Sequence, residues 1–161
     1  STAKKFDVDL SIIDSVNRSN LNRPKQIISK IRKQFNNNLV DKTFSILGLS
    51  FKPNTDDVRD STSIMIAESL YKEGAIIKAY DPKAMENAKE ILPNIHYSDS
   101  INESCIGVDA IIIATEWNEF RALNFKLLKE QMKDYIIFDL RNIYNEDEIT
   151  NLGFAYCGIG K

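Results

Sequence analysis

Lysine and arginine follow apolar runs at several places in this chain, a pairing suited to holding phosphate oxygens. The segment Gly48-Leu-Ser-Phe-Lys-Pro-Asn-Thr-Asp-Asp-Val-Arg-Asp-Ser sets Lys52 and Arg59 on either side of Asp56 and Asp57. Lys52 offers a compact positive charge, and Arg59 offers a planar fork that can grip two oxygens at once. Ser61 or Thr62 is placed to cap the helix that follows, whose N-terminus itself attracts anions. The same composition also describes a solvated loop with Asp–Arg surface pairs. The residues alone leave both readings open. Further on, Asp139-Leu-Arg141-Asn142 brings another arginine to an equivalent place. Cations arriving from separate loops make a stronger phosphate signal than one loop can.

Two more segments stand at comparable positions. Tyr80-Asp81-Pro82 puts an acid where open α/β sheets often contact a ribose hydroxyl, although Asp-Pro is also an ordinary turn and helix start. Thr115-Glu-Trp-Asn-Glu-Phe-Arg121 carries Trp117 and Phe120. They are expected to plug the end of a sheet in preference to stacking on a base. Other features carry little. Cys105 as a nucleophile needs a base, and His96 is the sole histidine. Cys157 alternates with apolar neighbours and reads as core. Gly158-Ile-Gly160-Lys161 echoes a phosphate loop without the G-x-x-x-x-G-K-[ST] spacing, and G-x-G-x-x-G is absent. No metal-ligand spacing is present. The chain thus reads as an anion binder without catalytic residues of its own.

These residues need a scaffold, and the hydrophobic pattern supplies one. Leu21, Ile28 and Phe35 recur every seven residues beside Leu10, Ile27 and Ile31, which predicts helix over about 8–36. Pro24 interrupts it, and because the stripe keeps its phase a kinked long helix is expected rather than two helices. Asn36-Asn37-Asn38 ends it, dividing the chain into 1–38 and 39–161. Strands are expected at 44–49, 75–80, 95–97, 110–114, 135–138 and 154–157. Helices are expected at 63–72, 84–91, 101–105, 125–132 and 146–151. Strict alternation with short connections means a doubly wound, mostly parallel, Rossmann-like α/β sheet. In such sheets ligands sit beyond the carboxyl ends of the strands, where all the segments above emerge.

Composition agrees with one ordinary domain. The chain has 161 residues, 43% hydrophobic and 27% charged, with six Gly, four Pro and two Cys. A chain of this size can bury roughly 70% of its unfolded surface. The cysteines fit a reducing cytoplasm. No apolar run approaches the roughly 20 residues that span a bilayer. The net charge of −2 hides an asymmetry: residues 1–43 hold nine Lys/Arg against four Asp/Glu, the remainder 12 against 19. Arg18, Arg23, Lys25, Lys30, Arg32 and Lys33 alternate with apolar residues, as on the wet face of an amphipathic helix. That reading is favoured over a nucleic-acid arm.

Residues 48–61 closely resemble the C-terminal signature of the nucleotide-sugar 6-dehydrogenases, the UDP-glucose and GDP-mannose dehydrogenases. Ala79-Tyr-Asp-Pro-Lys, Ala114-Thr-Glu-Trp-Asn-Glu-Phe-Arg and Asp139-Leu-Arg-Asn-Ile-Tyr follow in that family's order, so the likeness covers nearly the whole chain. The wording is most similar to the UDP-glucose branch. The resemblance implies that Phe51 and Lys52 bind the nucleotide sugar, that Arg141 is a second substrate-binding cation, and that Arg59 reaches NAD held by another domain. It implies no catalytic residue and no metal in this chain. Leu140 departs from the pattern, which usually has Gly beside the arginine, and its side chain bears on the reach of Arg141.

The resemblance also implies a parent reaction, oxidation of UDP-glucose to UDP-glucuronate by two hydride transfers to NAD. The Rossmann NAD domain and the catalytic cysteine lie upstream in that family. The chain opens on Ser1 and reaches its first Met at Met65. It is therefore expected to be the C-terminal part of such an enzyme, inactive alone, with the 8–36 helix joining the domains and forming a homodimer core. The competing expectation is a free-standing, non-catalytic nucleotide-binding module.

Overall fold

Parallel strands with apolar residues on both faces account for the architecture. The computed structural model describes residues 22–160. The strands are β1 (Thr43–Leu47), β2 (Ile76–Tyr80), β3 (His96–Tyr97), β4 (Ala110–Ile113), β5 (Ile136–Asp139) and β6 (Ala155–Gly158). All pair in parallel, in the order β3-β2-β1-β4-β5-β6. The order reverses between β1 and β4, the switch point where ligands of such sheets bind. The expected strands are all present, with ends shifted by one or two residues.

Helix α1 covers residues 22–34, and the chain divides after Asn37 into two compact units. Pro24 falls in the first turn of the described part of α1. The expected stretch from 8 to 21, with the test of a kink, lies outside the described residues. Ile27, Ile28, Ile31 and Phe35 are buried, while Arg23, Lys25, Lys30, Arg32 and Lys33 are exposed. That is the amphipathic division read from the sequence. Asn36 and Asn37 take φ of 53° and 58°, left-handed values that asparagine tolerates and that end the helix.

The second unit carries α2 (Thr62–Lys72), α3 (Met85–Ile91), α4 (Ile101–Cys105), α5 (Phe125–Gln131) and α6 (Glu146–Asn151). Right-handed crossovers put α2 and α3 on one face and α4, α5 and α6 on the other. On the latter face Leu47, Ile111, Ile113 and Ile137 pack with Cys105, Val108, Leu128, Met132, Ile149 and Phe154. Strand alternation turns Phe44, Ile46, Ile77 and Ala79 the other way, where α2 presents Ile66, Ala67 and Leu70, all within 2% of complete burial. Each of the larger of these side chains, the Phe, Ile and Leu, stabilises the fold by about 1.5–3 kcal/mol.

Two local expectations are corrected. Ser61 occupies the N-cap position of α2 but makes no capping hydrogen bond; its hydroxyl pairs with Ser63 Oγ at 2.7 Å. Cys157 is half-buried rather than core, because β6 is an edge strand.

Candidate functional site

The loop after β1 leaves the sheet through Gly48, which takes φ +97°. A Cβ there would meet Thr115 Cβ at 2.5 Å and Thr115 Oγ1 at 2.6 Å. Only glycine permits this approach between the loops of β1 and β4. The amide of Gly48 still donates to Tyr80 O, at 2.8 Å. Beyond it the backbone loses its sheet partners, and side chains take over.

Leu49 N and Ser50 N donate to Asp81 Oδ2 at 2.7 and 3.1 Å. The carbonyl of Leu49 accepts from Ser63 Oγ at 3.1 Å, and that of Ser50 from Thr115 Oγ1 at 2.8 Å. Ser50 Oγ donates to Asp81 Oδ2 at 3.1 Å, and Trp117 Nε1 reaches the same oxygen at 3.2 Å. Lys83 N and Ala84 N donate to Oδ1 at 2.9 and 2.8 Å and start α3. Asp81 is fully buried. A carboxylate offers about four lone-pair sites, and six protein donors surround this one. Of the two sequence readings, the turn and helix start is correct, and the ribose contact is excluded. The sheet has neither a glycine fingerprint nor a free acid after β2, so these loops do not by themselves fit a dinucleotide cofactor.

Phe51 and Lys52 follow this anchored pair directly. Phe51 N donates to Asp57 O at 2.8 Å, closing the loop's neck. Phe51 is 53% exposed, an unusual position for phenylalanine and one suited to covering a ligand. Lys52 is exposed beside it. Arg59 grips Asp57 through Nε–Oδ1 at 3.0 Å and Nη2–Oδ2 at 2.8 Å, and its own amide adds a third bond at 2.9 Å. These bonds hold the Asp57 carboxyl well below the usual range, at about 2, the side-chain fork being the larger cause. The Arg59 side chain is 85% exposed. The loop is thus anchored at its neck and solvated at its tip, combining the two readings left open by composition.

The β5 loop approaches from the other side of β4. Asp139, fully buried, accepts from Arg141 N at 3.0 Å, Tyr144 N at 3.1 Å and Tyr156 Oη at 2.8 Å. Burial pushes the Tyr156 hydroxyl well above its ordinary range, and the Asp139 bond adds to this. Arg141 Nε donates to Ala114 O at 2.8 Å, which leaves the terminal guanidinium nitrogens at the strand edge. Leu140 is buried, so its side chain is accommodated inward. Only β4 separates β1 from β5, so their ends lie roughly 10 Å apart. Lys52 and Arg141 therefore belong to loops flanking the end of one strand.

Trp117 and Phe120 are buried, the latter completely. They plug the sheet as expected, through a 3-10 turn at Asn118–Ala122 that the pattern did not reveal. Cys105 has Ser45 Oγ as its partner at 3.7 Å, and burial pushes its thiol up to about 11. His96 is exposed on β3, so no Cys–His pair forms. Among the described residues no group of His, Cys, Asp and Glu can hold a metal ion, and no helix is long and apolar enough to cross a membrane. Sequence reasoning missed Ser50, Ser63 and Thr115 as loop anchors. The spacing of small hydroxyl residues gave no signal of a shared target.

Comparison with known proteins identifies the family. The pattern of the UDP-glucose/GDP-mannose dehydrogenase family, UDP binding domain, matches residues 45–146. The UDP-glucose 6-dehydrogenase of Rhizobium meliloti is 39% identical over 160 residues, covering 99% of this chain and 37% of the relative. That of Rickettsia bellii is 40% identical over 162 residues, with the same coverage of 99% and 37%. This chain thus spans little more than a third of their length. The solved UDP-glucose dehydrogenase of Pyrobaculum islandicum superposes with a TM-score of 0.78 at 28% identity, over 96% of this chain and 34% of that one. The chain belongs to the UDP-glucose/GDP-mannose dehydrogenase family and carries its UDP-binding domain.

Proposed function

We propose that this chain holds the substrate of an NAD-dependent UDP-glucose 6-dehydrogenase, gripping UDP-glucose, and later UDP-glucuronate, by its diphosphate. Lys52 and Arg141 neutralise phosphate oxygens, and Phe51 covers the nucleotide. The observation that carries this reading is the pair of cationic loops flanking the end of β4 at the switch point of the sheet. Binding energy from this non-reacting part of the substrate fixes the position of the sugar's C6 carbon. The chain itself contributes no bond-making group. NAD is held mainly by an N-terminal domain of the parent protein, with Arg59 extending toward it; the high exposure of Arg59 supports that role. The parent is read as a cytoplasmic enzyme dimerising through the 8–36 helix, in which residues 1–38 join the domains and residues 39–161 bind the UDP-sugar.

Calorimetry of the chain with UDP, UDP-glucose and GDP-mannose tests the proposal. UDP and UDP-glucose should bind, both more tightly than GDP-mannose. Lys52→Ala and Arg141→Ala should each weaken UDP binding roughly 10–100-fold, the value of a hydrogen bond to a charged group, without unfolding the protein. Unchanged affinity in both variants contradicts the assignment.

A further inference from the structure

We propose that Asp81, together with Trp117, is a positioning residue for UDP binding, fixing the direction in which Phe51 and Lys52 leave the sheet. The inference rests on the UDP-binding reading above and assigns a task to a residue that touches no ligand. The two residues before Phe51 are Leu49 and Ser50, both buried to within 1%. All four of their backbone polar groups are bound by side chains: both amides by Asp81, and the carbonyls by Ser63 and Thr115. Unpaired, each would cost about 1–3 kcal/mol at such depth, so this dipeptide has one well-satisfied arrangement. Phe51 and Lys52 inherit their starting direction from it.

Asp81 is central because it serves three elements together. Its Oδ2 receives Leu49 N, Ser50 N and Ser50 Oγ from the β1 loop and Trp117 Nε1 from the β4 loop. Its Oδ1 receives the first amides of the turn into α3. All six partners donate, and only a carboxylate accepts on both terminal atoms. In dinucleotide-binding sheets an acid near this strand end contacts the ribose. Here that acid is turned inward, and it aims a cationic loop in place of contacting a ligand. Trp117 joins this arrangement to the end of β4, over which Arg141 lies through Ala114 O. The direction of Lys52 is thereby referred to the same strand end as Arg141.

The test is Asp81→Asn in the full 161-residue chain. Its amide group turns two hydrogens toward atoms that are themselves donors. UDP affinity should fall tenfold or more, and amides of Leu49 and Ser50 should exchange faster, while those of Ile111 and Ile137 stay protected. Trp117→Phe keeps the plug but removes one donor, and about a threefold loss is expected. A purely structural Asp81 would lower Tm and leave the Kd for UDP of the folded protein unchanged, and that result overturns the inference. If Asp81→Asn does not fold, Trp117→Phe and Ser63→Ala decide: unchanged Kd in both overturns it. A wild-type chain that binds no UDP at all overturns the underlying reading, and the inference falls with it.

Discussion

Two fully buried aspartates, Asp81 after β2 and Asp139 at the end of β5, organise the carboxyl edge by different means. Asp81 reaches across the sequence to Leu49, Ser50 and Trp117, more than 30 residues away. Asp139 binds Arg141 N and Tyr144 N within its own loop and takes one distant partner, Tyr156. The difference follows from loop length. Residues 48–61 form a long excursion that cannot satisfy its own buried backbone, so it borrows a carboxylate from a neighbouring strand. Residues 140–145 form a short turn that a local carboxylate can close. The cations differ accordingly: Arg141 is oriented by a bond on its own guanidinium, whereas Lys52 is oriented through its backbone. Preorganisation at the site is built into the head group on one side and into the loop neck on the other.

The comparison breaks most readily at Gly48. If the long loop depends on close approach to β4, Gly48→Ala must force a left-handed alanine against Thr115. The strained φ and the overlap together should destabilise the fold by about 3 kcal/mol. Urea denaturation measures this. A loss under about 1 kcal/mol, the size of an ordinary substitution, would mean that the loop can shift freely, and Asp81 would lose its distinction from Asp139.

A smaller effect is expected on the other side. Tyr156→Phe removes the hydroxyl that donates to Asp139 Oδ2 and lies 3.1 Å from Tyr144 O. Asp139 keeps its two local amides. The cost should be about 1 kcal/mol, the net value of one hydrogen bond, with UDP affinity nearly unchanged. A loss as large as that of Gly48→Ala would show that the β5 loop also depends on its distant partner, and the contrast would narrow.

The same contrast governs what the sequence made legible. Strands such as Ala110-Ile-Ile-Ile show themselves because burial on both faces demands a continuous apolar run. The positions of Lys52, Arg59 and Arg141 could be read because loops after strands must emerge at one edge. Asp81 was legible only as a choice between turn and ligand contact. Its deciding partners lie over 30 residues away in sequence, and nothing local announces them. Ser61 matched the cap pattern yet paired with Ser63, two residues on, whose hydroxyl is itself drawn to the Leu49 carbonyl of the β1 loop. Cys157 looked like core because alternation cannot tell an edge strand from a central one. The 3-10 turn at Asn118–Ala122 lacked a period long enough to register.

A third carboxylate, Asp57, shows what remains when burial is only partial. It is half-buried near the neck of the long loop and is held at about 2 mainly by the Arg59 fork, then by the Arg59 amide. Because its pKa is depressed in the folded chain, whatever Asp57 contributes is fully present above the ordinary value of 3.8 and is lost as pH falls through about 2. Carbon-detected NMR should place its midpoint near 2 in the wild type. Arg59→Ala should return it most of the way to 3.8, the remaining shift belonging to the backbone bond. Global stability should scarcely move, since the Arg59 end of the pair faces solvent. A wild-type midpoint near 3.8 would mean that the fork is open in solution and Arg59 already free for a ligand. A midpoint near 2 means that an anionic partner must first draw Arg59 from Asp57, so that Arg59, unlike Lys52, engages its ligand by exchange.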